Sequence, residues 1–156
     1  MSRAFLEHIG IKSAIVDQVV PLVENHLSHH SVGPDVTPRA VRRLAMRVAP
    51  ASIGQLVRLI EADASGRPPL PPGLPPAAAR ILAAAESEAV HSRPQPPLIL
   101  GRHVLPYFDN RPGVHIGEVT HAAYEAQADG AFSTEEEALR WLEAYMKDAD
   151  LKSVEK

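Results

Sequence analysis

A run of prolines between residues 67 and 76 constrains the fold of this chain more than any other feature. Six of these ten residues are proline. Proline fixes its own φ and lacks a backbone N–H, so such a run is excluded from helix interiors and from central strands. We expect a stiff, extended connector here, and a flexible linker is the alternative. The embedded Leu70 and Leu74 favour a connector that lies against the protein.

Helical periodicity dominates the sequence before the connector. Apolar residues recur at three- and four-residue spacing from Ser13 to about Ser28, which predicts an amphipathic helix with a kink or break at Pro21. Thr37 followed by Pro38 is a strong start signal for a second helix. Ser52 predicts the cap of a third helix that ends near Gly66.

After the connector, an alanine-rich segment at 77–90 predicts another helix. A further helix is expected at 116–128, stopped by a left-handed cap at Gly130. Ser133-Thr-Glu-Glu-Glu137 has the pattern of a capping box and opens the last helix. Trp141 and Tyr145 are one turn apart on that helix, and we expect both to fill the core; stacking on an RNA base is the less favoured alternative.

Composition agrees with a helical fold. Hydrophobic residues make up 45% of the 156 residues but aromatic residues only 4%, so burial depends on Leu, Val, Ile and Ala. We predict an all-α protein, an irregular multi-helix bundle of about six helices with proline-rich connectors. No apolar run approaches the roughly 18 residues that span a bilayer, so no membrane partner is expected. There is no cysteine and no signal-peptide pattern, and we expect a cytoplasmic location.

Charge is distributed unevenly along the chain, whose net charge is -3. From Glu118 to the end there are ten acids and four basic residues. Residues 37–60 contain no acid and five arginines: Arg39, Arg42, Arg43, Arg47 and Arg58. An RNA partner is expected at the arginine-rich segment. An ordinary solvated helix face is the other interpretation.

Two stretches resemble a known family. The first contains Phe5-Leu-Glu-His-Ile-Gly10, Val19-Val-Pro-Leu-Val-Glu-Asn-His-Leu27, Val41-Arg-Arg-Leu-Ala45 and Glu61-Ala-Asp-Ala-Ser-Gly-Arg-Pro-Pro69. The second contains Pro97-Leu-Ile-Leu-Gly-Arg-His-Val104, Arg111-Pro-Gly113, Ile116-Gly117 and Tyr124-Glu-Ala-Gln-Ala-Asp-Gly130. Both are similar to bacterial tRNA nucleotidyltransferases (CCA-adding enzymes) and their poly(A) polymerase-like relatives.

The resemblance implies a division of the chain. Residues 1–66 are similar to the second half of an HD-type helical domain. Residues 67–97 form a proline-rich connector with one helix at 77–90. Residues 98–148 resemble an RNA-binding body and tail, and we expect 149–156 to be a frayed tail. A truncated HD half-domain exposes apolar surface, so a homodimer is expected through that surface.

The family's catalytic machinery is missing from these residues. Its nucleotidyl transfer depends on a Gly-Ser pair and nearby aspartates that hold magnesium, and no Gly-Ser dipeptide occurs here. We therefore expect that the chain does not add nucleotides by itself. It is expected to position tRNA or another structured RNA, and a purely structural or oligomerisation role is a further alternative.

The RNA contacts are expected in two places. One is the arginine-rich segment, through Arg39, Arg42, Arg43 and Arg47. The other is the loop from Gly101 to Gly117, which by resemblance tracks the tRNA acceptor arm and contributes Arg102, His103, Arg111, Gly113 and Gly117. Small residues at the start of a helix let backbone N–H groups approach a phosphate, and arginines add charge. A tight turn that needs glycine only for its backbone is the competing interpretation.

A metal site is the alternative to RNA binding. His26 and His30 are one turn apart if the helix continues that far, and Asp63 matches a late aspartate of HD hydrolases. Imidazoles and a carboxylate that converge on a divalent metal activate water for phosphoester hydrolysis. The His-Asp doublet of that motif does not occur in this sequence, and histidines exposed at a helix end are the competing interpretation.

Overall fold

The computed structural model describes residues 2–66, 69 and 72–154. In these residues the protein is all-α, with eight α-helices, two short 3₁₀ turns and no strand, which confirms the predicted fold class. The helices are α1 (Ser2–His8), α2 (Ser13–Asn25), α3 (Pro38–Val48), α4 (Ile53–Ser65), α5 (Pro76–Ser87), α6 (Gly101–Val104), α7 (Val114–Asp129) and α8 (Glu135–Val154). The 3₁₀ turns are Ser28–Ser31 and Leu105–Phe108.

The chain divides into two compact units, with the boundary between Gln95 and Pro96. The helix that we assigned to the connector, α5, belongs to the first unit. Its buried Ala78, Ile81 and Ala85 share one core with residues of α3 and α4. The proline run therefore does not mark a domain boundary.

Caps define the helices of the first unit as the sequence indicates. Thr37 Oγ1 accepts from the Ala40 N–H at 3.2 Å at the start of α3. At α4, Ser52 Oγ accepts from the Gln55 N–H at 3.1 Å, and Gln55 Oε1 accepts from the Ser52 N–H at 2.9 Å. This reciprocal pair of hydrogen bonds is a capping box. It satisfies two backbone N–H groups that have no partner within the first helical turn.

The described residues of the connector contact the first unit. Leu74 is partly buried against the core of that unit, as expected. The Gly73 N–H donates to Ser65 Oγ at 3.0 Å. Leu70 and the neighbouring Arg67, Pro68 and Pro71 lie outside the described residues.

The second unit is built on α7 and α8. Its core contains Ile99, Val104, Val119, Ala123, Phe132, Ala138, Leu142 and Met146. Gly130 ends α7 with a φ of 85°, which confirms the left-handed cap. Helix α8 continues beyond Asp148 to Val154, so the segment that we expected to fray is helical in its described part.

The aromatic pair on α8 differs from expectation. Trp141 is half-buried against the core of the second unit, but Tyr145 is 38% exposed. The two rings stack with centroids 4.9 Å apart, so Tyr145 covers the indole from outside and does not fill the core.

Candidate functional site: a cationic helix surface and a histidine pocket

The arginines of α3 lie away from its buried face. Val41, Leu44, Ala45 and Val48 are buried, which leaves the arginine positions on the outer part of the helix. Arg39 and Arg47 are exposed, whereas Arg42 and Arg43 are half-buried. On α4, Arg58 is also exposed.

Arg42 has a structural partner. Its Nη1 lies 2.7 Å from Oε2 of Glu88, which follows α5, and the two side chains are only 18% and 24% exposed. A hydrogen-bonded ion pair in this partly buried setting joins α3 to the end of α5. Arg42 is therefore a poorer candidate for RNA contact than the sequence indicates.

Arg47 is tied less tightly. Its Nε donates to Asn25 Oδ1 at 3.2 Å, and the contact is exposed. Such a bond leaves other guanidinium N–H groups on the solvent side. Arg39, Arg47 and Arg58 are thus the arginines of this segment that are exposed enough to meet a phosphate.

His103, predicted to contact RNA, is engaged within the second unit. Its side chain is 14% exposed, and its Nδ1 accepts from the Leu100 N–H at 3.3 Å at the start of α6. Its Nε2 is 3.0 Å from Arg102 Nε and 3.9 Å from Glu135 Oε1. A neutral imidazole accepts at one nitrogen only, so the ring caps α6 or accepts from Arg102, but not both at once. This environment favours a structural role.

The start of α7 has free space around its two glycines. Gly113 has an extended φ of -170°, and a Cβ placed on Gly113 or Gly117 would meet nothing within 4 Å. Glycine is therefore not required there by packing or by a left-handed backbone. Arg111 beside it is exposed, but His115 Nδ1 lies 3.1 Å from Glu118 Oε2, so an acid stands in the first turns of the helix.

The segment from Tyr124 to Gly130 has a structural role. Gln127 is 6% exposed, and its side chain is hydrogen-bonded to the backbone of Pro96 and Leu98. Burial raises the pKa of the Tyr124 phenol, because the charged form is less well solvated there.

The predicted metal site is not assembled as expected. Helix α2 ends at Asn25 and His30 lies in a 3₁₀ turn, so His26 and His30 are not one turn apart on a common helix. His26 Nδ1 is 2.6 Å from the Val23 carbonyl oxygen, which occupies one of its ring nitrogens. Among residues 2–66, 69 and 72–154, no three His, Asp or Glu side chains are arranged to hold a metal ion.

His30 and Asp63 do line one pocket, and the structure adds a residue that the sequence argument left out of the site. His29 is 7% exposed and lines the same pocket. The sequence does not predict its burial, because nothing local distinguishes His29 from the neighbouring histidines. Only the tertiary packing shows which of them is buried. His26 is not among the lining residues, so the pocket joins His29, and not His26, to the other two.

No known protein family, curated protein or solved structure matches this chain significantly. The fold and the geometry described above therefore carry the functional argument. In the part of the chain that the structure describes, no helix is long and apolar enough to cross a membrane.

Proposed function

We propose that this chain is the RNA-binding helical portion of a protein similar to tRNA nucleotidyltransferases and poly(A) polymerases, and that it positions tRNA or another structured RNA. The observation that supports the proposal is the exposure of three arginines on α3 and α4. Arg39, Arg47 and Arg58 are exposed there, and residues 37–60 contain no acid. Guanidinium groups bind phosphate oxygens in a charge-assisted and often bidentate manner.

Phosphate contacts are the mode of binding that this surface supports. Aromatic residues make up only 4% of the chain, which leaves few rings for stacking on unpaired bases. Phosphate contacts set position and orientation and carry no sequence information, so recognition depends on the shape of the RNA. Nucleotide addition is not part of the proposal, because no Gly-Ser dipeptide is present to begin the family's nucleotide site.

The experiment is a fluorescence anisotropy titration of labelled tRNA at several salt concentrations. Each neutralised phosphate steepens the plot of log affinity against log salt by about 0.7 to 0.9. The triple variant Arg39→Ala, Arg47→Ala, Arg58→Ala is expected to weaken binding and to flatten this slope by roughly two. Arg42 is left unchanged, since its ion pair with Glu88 makes it a stability residue.

A matched control separates the effect of these three arginines on RNA affinity from the effect of a lower net charge. Lys12, Arg140 and Lys147 are also exposed, and replacing all three with alanine removes the same charge elsewhere. This control is expected to keep most of the affinity. Equal loss in both triple variants, or binding that ignores salt, would contradict the proposed surface.

We also propose that the first unit forms a homodimer through its exposed apolar residues. Phe5, Ile9, Ile15, Val23 and Leu27 are between 37% and 61% exposed. Light scattering is expected to show a dimer that Ile15→Glu with Val23→Glu converts to a monomer. Val114, 70% exposed in the second unit, supplies the control substitution Val114→Glu, which is expected to leave the dimer intact. A monomeric unmodified protein at high concentration contradicts this part of the proposal.

A further inference from the structure

The ring of His103 has three polar neighbours that it cannot satisfy together. Two of them are donors: the Leu100 N–H lies 3.3 Å from Nδ1, and Arg102 Nε lies 3.0 Å from Nε2. The third is an acceptor, since Glu135 Oε1 lies 3.9 Å from Nε2. A neutral imidazole has one N–H and one acceptor nitrogen, whereas a protonated imidazole has two N–H groups and no acceptor. The protonation state of the ring therefore determines which of these contacts can form.

In the neutral ring, the acceptor nitrogen is the one that faces Leu100. The Leu100 N–H is half-buried and lies just before α6, where no helical carbonyl accepts from it. Arg102 is exposed, so its guanidinium N–H groups have water as an alternative partner. A donor left unpaired away from water is the more costly of the two. Nδ1 therefore accepts from Leu100, and Nε2 carries its proton on the side of Glu135.

Protonation removes this acceptor. A proton taken up from solvent adds to Nδ1, so that two N–H groups face each other and the hydrogen bond from Leu100 is lost. The ring, now positively charged, is attracted by the Glu135 carboxylate and repelled by the Arg102 guanidinium. The contacts of the side chain thus change from the start of α6 to the first turn of α8.

The charged groups at this ring are Arg102, on α6 itself, and Glu135, on α8. The 3₁₀ turn that follows α6, Leu105–Phe108, contains no acidic or basic residue. The His103 side chain is only 14% exposed, so water is a poor replacement for a lost hydrogen bond and a weak screen for the Glu135 charge. The exchange of partners therefore acts on the structure of this segment.

Helix α7 also packs against α6. It brings an apolar side chain to the start of α6, since Ile116 Cγ2 is 3.3 Å from the Cβ position of Gly101. Its histidines lie in exposed pairs with acids of the same helix, His115 with Glu118 and His121 with Glu125. These pairs titrate at the surface of α7, and they provide an internal comparison for His103.

From these contacts we infer that His103 is a pH-sensitive switch in the second unit. The neutral ring holds the Leu100 backbone at the start of α6, and the protonated ring releases Leu100 and pairs with Glu135. Histidine is the residue type that changes charge between pH 5 and pH 8, which sets the range of the experiment. The switch does not depend on the proposed RNA binding, and its test needs no RNA.

The test is a pH titration of the unmodified protein between pH 8 and pH 5, followed by NMR. The Leu100 amide signal is expected to move along a single curve with the same midpoint as the His103 ring signals. Protection of this amide from solvent exchange, corrected for the intrinsic rate at each pH, is expected to fall about two- to tenfold, the range that one hydrogen bond provides. A Leu100 signal that stays constant, or that follows another midpoint, would overturn the inference.

His103→Gln is the matched variant. Glutamine at the third position of a helix accepts from the N-cap N–H, as in a capping box, but does not titrate. The Leu100 signal of this variant is expected to be independent of pH, while His115 and His121 titrate as before. If Leu100 still responds to pH in His103→Gln, another group causes the response and the assignment is wrong.

The second partner is tested at Glu135. In the unmodified protein, nuclear Overhauser contacts between the His103 ring and the Glu135 side chain are expected to strengthen at pH 5. Glu135→Gln changes an exposed side chain, and it is expected to abolish this gain. Glu136→Gln, one residue further along, is the control and is expected to keep it. Contacts that do not strengthen in the unmodified protein would contradict the exchange of partners.

Discussion

The side chain of Gln127 holds the backbone of Leu98. Its Oε1 accepts from the Leu98 N–H at 2.9 Å, and its Nε2 donates to the Pro96 carbonyl at 2.9 Å. One amide on α7 thus satisfies a donor and an acceptor of an irregular segment that has no ladder or helix to supply them.

Gln127→Leu is expected to destabilise the second unit by about 1–3 kcal/mol, because both backbone groups lose their partner. Trp141 is the only tryptophan and lies in this unit, so its fluorescence during urea unfolding reports the change. The exposed Gln18 provides the control Gln18→Leu, which is expected to have little effect. Equal unfolding midpoints for the two variants would show that the hydrogen bonds of the Gln127 side chain do not stabilise the second unit.

The capping box of α4 is expected to contribute measurably to stability. Ser52→Ala removes the acceptor of the Gln55 N–H and should cost about 1 kcal/mol. Circular dichroism during thermal unfolding measures the loss. Ser87, exposed at the end of α5, is the matched control, and Ser87→Ala is expected to be neutral or slightly stabilising.

Alanine substitutions at two glycines of the second unit are expected to change its stability in opposite directions. Gly130 has a φ of 85°, and Gly130→Ala should cost about 1 kcal/mol because a Cβ strains the left-handed region. Gly117 lies within α7 with open space around its Cβ position, so Gly117→Ala should stabilise by about 0.5–1 kcal/mol. Unfolding followed by Trp141 fluorescence compares them. Destabilisation by Gly117→Ala would contradict the open geometry.

The stabilising effect of Glu137 is expected to depend on pH. The Ser133 N–H, followed by the Ser133 hydroxyl and the Thr134 N–H, donates to this carboxylate and lowers its pKa below its ordinary value of 4.5. A lowered pKa stabilises the fold above the ordinary value, and the stabilisation is lost as the pH falls through the lowered one. The stability difference between the unmodified protein and Glu137→Gln should therefore shrink as the pH falls below 4.5 and through the lowered pKa.

Urea unfolding at several pH values measures this difference. Glu136 lies on the same exposed turn, and Glu136→Gln serves as its control. A difference for Glu137→Gln that stays constant with pH, or that matches the control, would rule out the carboxylate cap.

The Arg42–Glu88 pair is expected to show a coupling energy on the order of 1 kcal/mol in a double-mutant cycle, because it is partly buried. Arg3 and Asp17 form the comparison cycle: their atoms are 2.8 Å apart, but both side chains are about half exposed. That coupling should be smaller and should fade with added salt. Equal and equally salt-sensitive couplings would mean that burial does not protect the Arg42 pair.

Much of the helical structure was predictable because its signals are local. The Thr37 cap, the Ser52 capping box and the Gly130 stop each depend on residues within one turn of the chain. The end of α2 was predicted too far along, because apolar residues continue to Leu27 while the helix stops at Asn25. Periodicity alone does not show where a helix gives way to a 3₁₀ turn.

The candidate site was only partly predictable. The sequence singles out the arginines, His30 and Asp63 by their chemistry. It does not show which residues their side chains contact. Arg42 is predicted to contact RNA, and the sequence gives no sign of its ion pair with Glu88, 46 residues away. His29 was passed over for His26, because only packing shows which imidazole is buried.

The sequence by itself determined the all-α class, most helix limits and the lack of acids within residues 37–60, since caps, periodicity and composition act over a few residues. The tertiary structure decided that α5 packs with α3 and α4, that Gln127 clasps Leu98, and that His29, His30 and Asp63 share a cavity with the start of α5. These relationships join residues far apart in the chain. They exist only once apolar faces are buried together, because burial of those faces sets which polar groups meet.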